Sequence, residues 1–187
     1  RRPGSDQLID LTVARDEINI TTVRAAFMLR PGTGYIRLQE FSETSNEEVE
    51  AALAALTKAG MTELVLDLRD NPGGPLDQAI AIASHFLARG QMVVYTKGRV
   101  ENANNDFPVV KGGDYRGLPL LVMVSRGSAS ASEIVTGAMQ DHDRAIVVGE
   151  QTFGKALVQS VYPIANGAGL ALTTAHYYTP SDRLIQR

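Results

Sequence analysis

The sequence has no cysteine, no tryptophan, and only three histidines in 187 residues. Without cysteine there are no disulfides, thiolate metal sites or cysteine nucleophiles. This does not fix the compartment. His85, His142 and His176 lie far apart and form no HExxH pattern, so a histidine metal site would need ligands from distant segments. The same scarcity leaves a Ser-His-Asp triad few candidates. No apolar run approaches the roughly 18 residues needed to cross a bilayer; the longest is Leu118–Val124. No secretory leader pattern opens the sequence, and Arg1–Gly4 reads as mid-domain sequence. The formal charge of -3 argues against a general electrostatic grip on nucleic acid. What is present is globular, 44% hydrophobic and 21% charged residues, in a length that fits one ordinary domain or a domain plus a fragment of another.

Leu8–Ala14 and Val23–Leu29 are rich in β-favouring residues and read as strands. Tyr35–Leu38 alternates with period two, as a half-buried strand does. Ser45 followed by Glu48 predicts a capping box, with Val49, Ala52, Leu53 and Leu56 at helical spacing and Gly60 as the stop. Leu64–Leu66 and Leu120–Val124 are short apolar runs, predicted as strands buried on both faces. Leu76–Arg89 is a predicted second helix, Met92–Tyr95 a strand, and Ala131–Gln140 a third helix. Ala145–Val148 is a further strand. The polar stretch 97–117 is long for a structureless loop, so it is functional or holds a short hairpin. Val158–Tyr162 and Leu170–Tyr178 flank Asn166-Gly167, a hairpin turn. Strands and helices alternate through the middle, which predicts a largely parallel sheet covered by helices. Ligands in such sheets sit beyond the carboxyl ends of the strands. Arg69–Gly74 and Ser125–Ser130 occupy that position.

Four segments carry candidate chemistry. Gly149–Lys155 fits the first seven positions of a phosphate-binding loop, but Ala156 stands where Ser or Thr should reach magnesium, and a strand rather than a helix follows. Ser128-Ala129-Ser130-Ala131-Ser132-Glu133 opens a helix after a buried strand. One reading is a capping box of Ser130 with Glu133; the other is a nucleophile at a strand-to-helix junction, where helix amides favour developing negative charge. A serine nucleophile needs a base. Lysine serves only where it is desolvated; Phe153, Leu157 and Val158 are the cover that the sequence offers Lys155. Asn71-Pro72-Gly73-Gly74 is either a plain turn or a set of bare amides for an oxyanion.

In combination these segments resemble the carboxyl-terminal processing, or tail-specific, proteases. The resemblance runs in order through Gly34–Leu38 with Phe41, Leu66–Gly74, Gly127–Ile134 with Gly137–Asp141, Thr152–Lys155 with Val158-Gln159, and Tyr177–Ser181. It covers residues 16–187. It implies Ser130 as nucleophile, Lys155 as general base and Gln159 as its supporting glutamine. The implied oxyanion donors are the amides of Gly73 and Ala131. Asp141 matches an aspartate sometimes counted in the charge relay, though it also ends a predicted helix beside Arg144, a pairing partner. The implied fold is α/β, a crotonase/Clp-protease-like core with a C-terminal β-hairpin. Residues 1–16 would be the last strand of a PDZ domain and 17–187 the catalytic core. One position departs: the family commonly has glycine after the lysine, where this chain has Ala156. The implied activity is a serine endopeptidase acting near protein carboxyl termini through a Ser-Lys dyad and an acyl-enzyme. It would sit in the bacterial periplasm or cell envelope, with carboxyl tails as substrate and oligomers left open. No metal, cofactor or nucleic-acid partner is implied. The alternative is a catalytically silent peptide-binding core or a crotonase-like acyl-CoA binder.

Overall fold

A computed structural model describes residues 12–13 and 21–187. The strand expected over Leu8–Ala14 and the PDZ remnant expected over 1–16 lie outside the described residues, except for Thr12 and Val13, which have no regular structure. The elements run β1 (Val23–Arg30), β2 (Thr33–Leu38), α1 (Ser45–Lys58), β3 (Glu63–Asp67), α2 (Leu76–Ser84), β4 (Met92–Gly98), β5 (Asn105–Pro108), β6 (Leu120–Val124), α3 (Ala131–Asp141), β7 (Ile146–Gly149), β8 (Leu157–Pro163) and β9 (Gly169–Tyr178).

Two sheets form. The first has the order β1-β2-β3-β6-β7 and is parallel from β2 onward, with β1 added antiparallel. The second, β5-β4-β9-β8, is antiparallel and contains the C-terminal hairpin expected around Asn166-Gly167, both of which take positive φ. The expected α/β architecture is therefore present. The polar stretch after β4 does contain a hairpin partner, β5.

Alternation along the strands decides where the core sits. Ile36, Leu38, Leu64, Leu66, Val122 and Val124 are buried against Val49 and Leu53 of α1 and Ile134 and Val135 of α3. The intervening Val65, Leu121 and Met123 are only half-buried. The middle strands are thus covered fully on one face, not on both as their apolar runs suggested.

Two helix boundaries differ from expectation. Ser45 is not the cap of α1 but its first residue; it is buried, and its hydroxyl donates to Thr22 Oγ1. Glu48 accepts from the backbone amides of Thr22 and Val23, so it anchors the start of β1. Helix α2 ends at Ser84, five residues before Arg89. The carbonyls of His85 and Leu87 are taken by the amides of Tyr115 and Gly113, which fold back onto this segment and replace helical partners.

Candidate active site

β3 and β6 are adjacent parallel strands. Their carboxyl ends therefore deliver the loops 68–75 and 125–130 side by side, as a sheet of this type requires for a ligand site. Buried polar groups lock the two loops together. The Ser128 hydroxyl donates to Leu68 O at 2.7 Å and accepts from the Ser125 amide at 2.9 Å. The Ser132 hydroxyl donates to Asn71 O at 3.0 Å, and the Ala129 amide donates to the same carbonyl. Asn71 is fully buried; its Nδ2 donates to Leu38 O at 2.9 Å. Ser128 and Ser132 are also fully buried. Two of the three serines in the cluster are therefore structural, which their identical spacing along the sequence could not reveal.

Ser130 differs from both. It is half-buried and caps α3 with φ 54° and ψ -114°. A positive φ on a residue with a Cβ costs of order 1–3 kcal/mol and persists only where the surroundings enforce it, commonly at functional sites. Gly73 backs directly onto it. A Cβ placed on Gly73 would lie 2.6 Å from Ala129 O, 2.7 Å from Ser130 Cβ and 2.8 Å from Ala131 N. Only glycine fits there, and its φ of 94° has the same requirement. The two expected oxyanion donors thus flank Ser130, but they stand differently. The Ala131 amide, first in the helix, has no partner among the described residues. The Gly73 amide donates to Asn71 Oδ1 at 2.9 Å, and would have to exchange that partner for an oxyanion.

Glu133 joins the serine to the lysine loop. It is 4% exposed. Its Oε2 accepts from the Ser130 amide at 2.8 Å and the Lys155 amide at 2.9 Å, and its Oε1 from the Gly154 amide at 2.6 Å. One oxygen bridging two amides holds the backbones of Ser130 and Lys155 within about 6 Å of each other. The capping box expected of Ser130 and Glu133 is present, and the same carboxylate reaches across to a loop more than 20 residues on. A second tie comes from the Phe153 amide, which donates to Ser128 O at 2.9 Å.

The expected cover of Lys155 is missing. Lys155 is exposed, Phe153 is 62% exposed and Leu157 38% exposed. Phe153 and Leu157 face solvent, while Val158, the third expected neighbour, is half-buried on β8. Ala156 is fully buried without positive φ, so the methyl that replaces the usual glycine is accommodated.

The remaining residues are spread more widely. Gln159 is exposed on β8, paired with Thr173 just past a bulge. Asp141 sits at the far end of α3, about 16 Å from Ser130 by helical rise. It accepts from the Ser181 amide and hydroxyl and from the Arg183 guanidinium. The pairing expected with Arg144 is absent; that guanidinium donates to the carbonyls of Phe86, Tyr115 and Leu118. Asp67, at the end of β3, is fully buried. Burial pushes its carboxyl up, but bonds from the Arg69 guanidinium and the Tyr35 hydroxyl outweigh that and hold it below the usual carboxylate range. No group of residues able to hold a metal occurs among the described residues.

The model of peptidase family S41 matches residues 32–187. The chain belongs to peptidase family S41. Among its relatives, the carboxy-terminal-processing protease of Bartonella bacilliformis is 42% identical over 99% of this chain and 43% of that protein. The chloroplastic carboxyl-terminal-processing peptidase 2 of Arabidopsis thaliana is 37% identical over 95% of this chain and 36% of that protein. A solved structure of the photosystem II D1 C-terminal processing protease superposes with a TM-score of 0.78 at 32% identity, covering 91% of this chain and 46% of that one. The chain thus spans less than half the length of these S41 relatives. Their names cover bacteria and chloroplasts alike, so membership of S41 does not assign a periplasmic location. No helix among the described residues is long and apolar enough to cross a membrane.

Proposed function

We propose that this chain carries the catalytic core of a serine endopeptidase that cuts proteins near their carboxyl termini. The observation that supports it best is the Glu133 carboxylate, which holds a backbone-strained serine and the lysine loop to one point. In this reading Ser130 Oγ attacks the scissile carbonyl and Lys155 Nζ takes the serine proton. The Ala131 amide, and the Gly73 amide once released by Asn71, donate to the oxyanion. Collapse expels the amine with the proton from Lys155, leaving an acyl-enzyme that water hydrolyses. Gln159 supports Lys155 from β8, and Asp141 braces the far end of α3 rather than relaying charge. Because Lys155 is open to solvent here, the substrate lying over the loop 152–157 is what desolvates it. Tail selection falls to the PDZ domain whose last strand residues 1–16 resemble.

Turnover of a peptide library by Ser130→Ala, Ser128→Ala, Ser132→Ala, Lys155→Ala and Lys155→Arg tests this reading, with circular dichroism to confirm folding. Ser130→Ala and both lysine variants should lose activity, since a guanidinium stays protonated and cannot act as base. Ser128→Ala and Ser132→Ala should lose stability more than activity, about 2 kcal/mol for the two buried bonds of Ser128 and about 1 kcal/mol for the one of Ser132. Substantial activity in Lys155→Arg would end the Ser-Lys mechanism.

A further inference from the structure

Two planar peptide groups meet at each Cα, and fixing both fixes the direction of the side chain between them. The plane before Lys155 carries the Lys155 amide, which donates to Glu133 Oε2 at 2.9 Å. The plane after it carries the Ala156 amide, which donates to Gln186 Oε1 at 3.0 Å. Ala156 is fully buried, so that amide has no bulk water to turn to. Gln186 is half-buried, in the segment that follows β9. This segment lies against both β9 and the lysine loop. Leu184 bridges to Tyr178, the Ile185 amide donates to Tyr177 O at 3.5 Å, and the Arg187 amide donates to Gly154 O at 3.3 Å. Gln186 Nε2 donates to Arg187 O at 2.7 Å, which leaves its oxygen for Ala156. Gln159, the glutamine that the resemblance supplied, stands exposed on β8. Gln186 instead holds the lysine's own backbone, from 30 residues away.

We propose that Gln186 is a positioning residue for Lys155. By accepting from the Ala156 amide it fixes the peptide plane on the carboxyl side of the lysine, as Glu133 fixes the plane on the amino side, and the two together aim the lysine at Ser130. The inference rests on the peptidase reading. Without the acceptor the second plane can turn. An extended lysine holds its Nζ about 6 Å from Cα, so a turn of about 10° moves it about 1 Å, and a misplacement of that size costs about 10²-fold in rate.

A small alkyl fluorophosphonate tests this without peptide turnover. Ser130 Oγ bonds to phosphorus, fluoride leaves with its electron pair, and Lys155 takes the serine proton. Phosphonylation of Ser130 is followed by mass spectrometry across a pH series, at a temperature where circular dichroism shows each protein folded, and the plateau rates are compared. Gln186→Met removes the acceptor, and Gln186→Asn is one methylene too short to reach Ala156. Each should slow the plateau at least about 10-fold while Ser130 still reacts to completion. Gln186→Glu keeps an acceptor oxygen and should return the plateau to within about 3-fold of the parent. A role confined to stability would lower the melting temperature and leave the folded-state rates alike. Plateaus for Gln186→Met and Gln186→Asn within about 3-fold of the parent, or an equal loss in Gln186→Glu, would overturn the positioning role while leaving Ser130 and Lys155 in place. A parent that does not react at Ser130, or a Lys155→Ala variant that reacts as fast as the parent, would instead remove the peptidase reading beneath it.

Discussion

Replacing Glu133 by glutamine changes one atom at the point where the serine and lysine loops meet. The carboxylate accepts three backbone amides, one on Oε1 and two on Oε2. Glutamine has one acceptor oxygen. Its less costly orientation keeps that oxygen against Ser130 and Lys155 and turns the amide nitrogen toward Gly154. That loses the 2.6 Å bond and sets two donors against each other in a site that is 4% exposed. Leaving one buried donor unpaired next to a former charge costs about 2 kcal/mol. For a domain of this size that is a fall in melting temperature of about 4–8 °C. The loop would also shift, and a displacement of about 1 Å between reacting groups costs about 10²-fold in rate. Glu133→Gln should therefore keep its fold below the new melting point and lose about 10- to 10²-fold in kcat, with KM little changed. Calorimetry and a peptide turnover assay measure both. Full activity together with a melting point within about 1 °C of the parent would show that the carboxylate does not hold the site together.

Gly73→Val should cut turnover about 10²-fold or more, because its Cβ would press on Ser130 and Ala131 and remove an oxyanion donor; a folded variant with near-parental rate would reduce this loop to a turn. Asp141→Asn should lower the melting temperature through the loss of its Arg183 and Ser181 bonds, yet change the rate of Ser130 phosphonylation less than about 3-fold; a large loss would place Asp141 in the chemistry after all. Asp67 titrates below the usual carboxylate range when folded, so it adds stability above its unfolded value of about 4, which is lost as pH falls through the folded one. Arg69→Met removes the main group holding it down and should move the acid unfolding midpoint, followed by circular dichroism, to higher pH; an unmoved midpoint would refute the assignment.

Which features were readable in advance follows from the range of the forces that set them. Period-two and helical spacing located the core face of β2 and α1, and Asn166-Gly167 located the hairpin turn, because each depends on neighbours within a few residues. The Ser130–Glu133 spacing was equally local, but it supported a cap and a nucleophile alike. Ser128, Ser130 and Ser132 look equivalent along the chain; burial and the carbonyls of Leu68 and Asn71 separate them, and those arrive only when β3 and β6 pair. The fate of Asp141 was decided in the same way, by a loop 40 residues on rather than by nearby Arg144. Residue order and spacing alone were enough to predict the α/β class and the two loops at the strand ends, whereas the serine and lysine motifs stood out only through the family resemblance. Packing across the strands decided which serine is strained, that Gly73 abuts it, that Glu133 binds both loops, and that Lys155 stands uncovered. Those outcomes depend on contacts between segments 20 to 60 residues apart, which no local periodicity encodes.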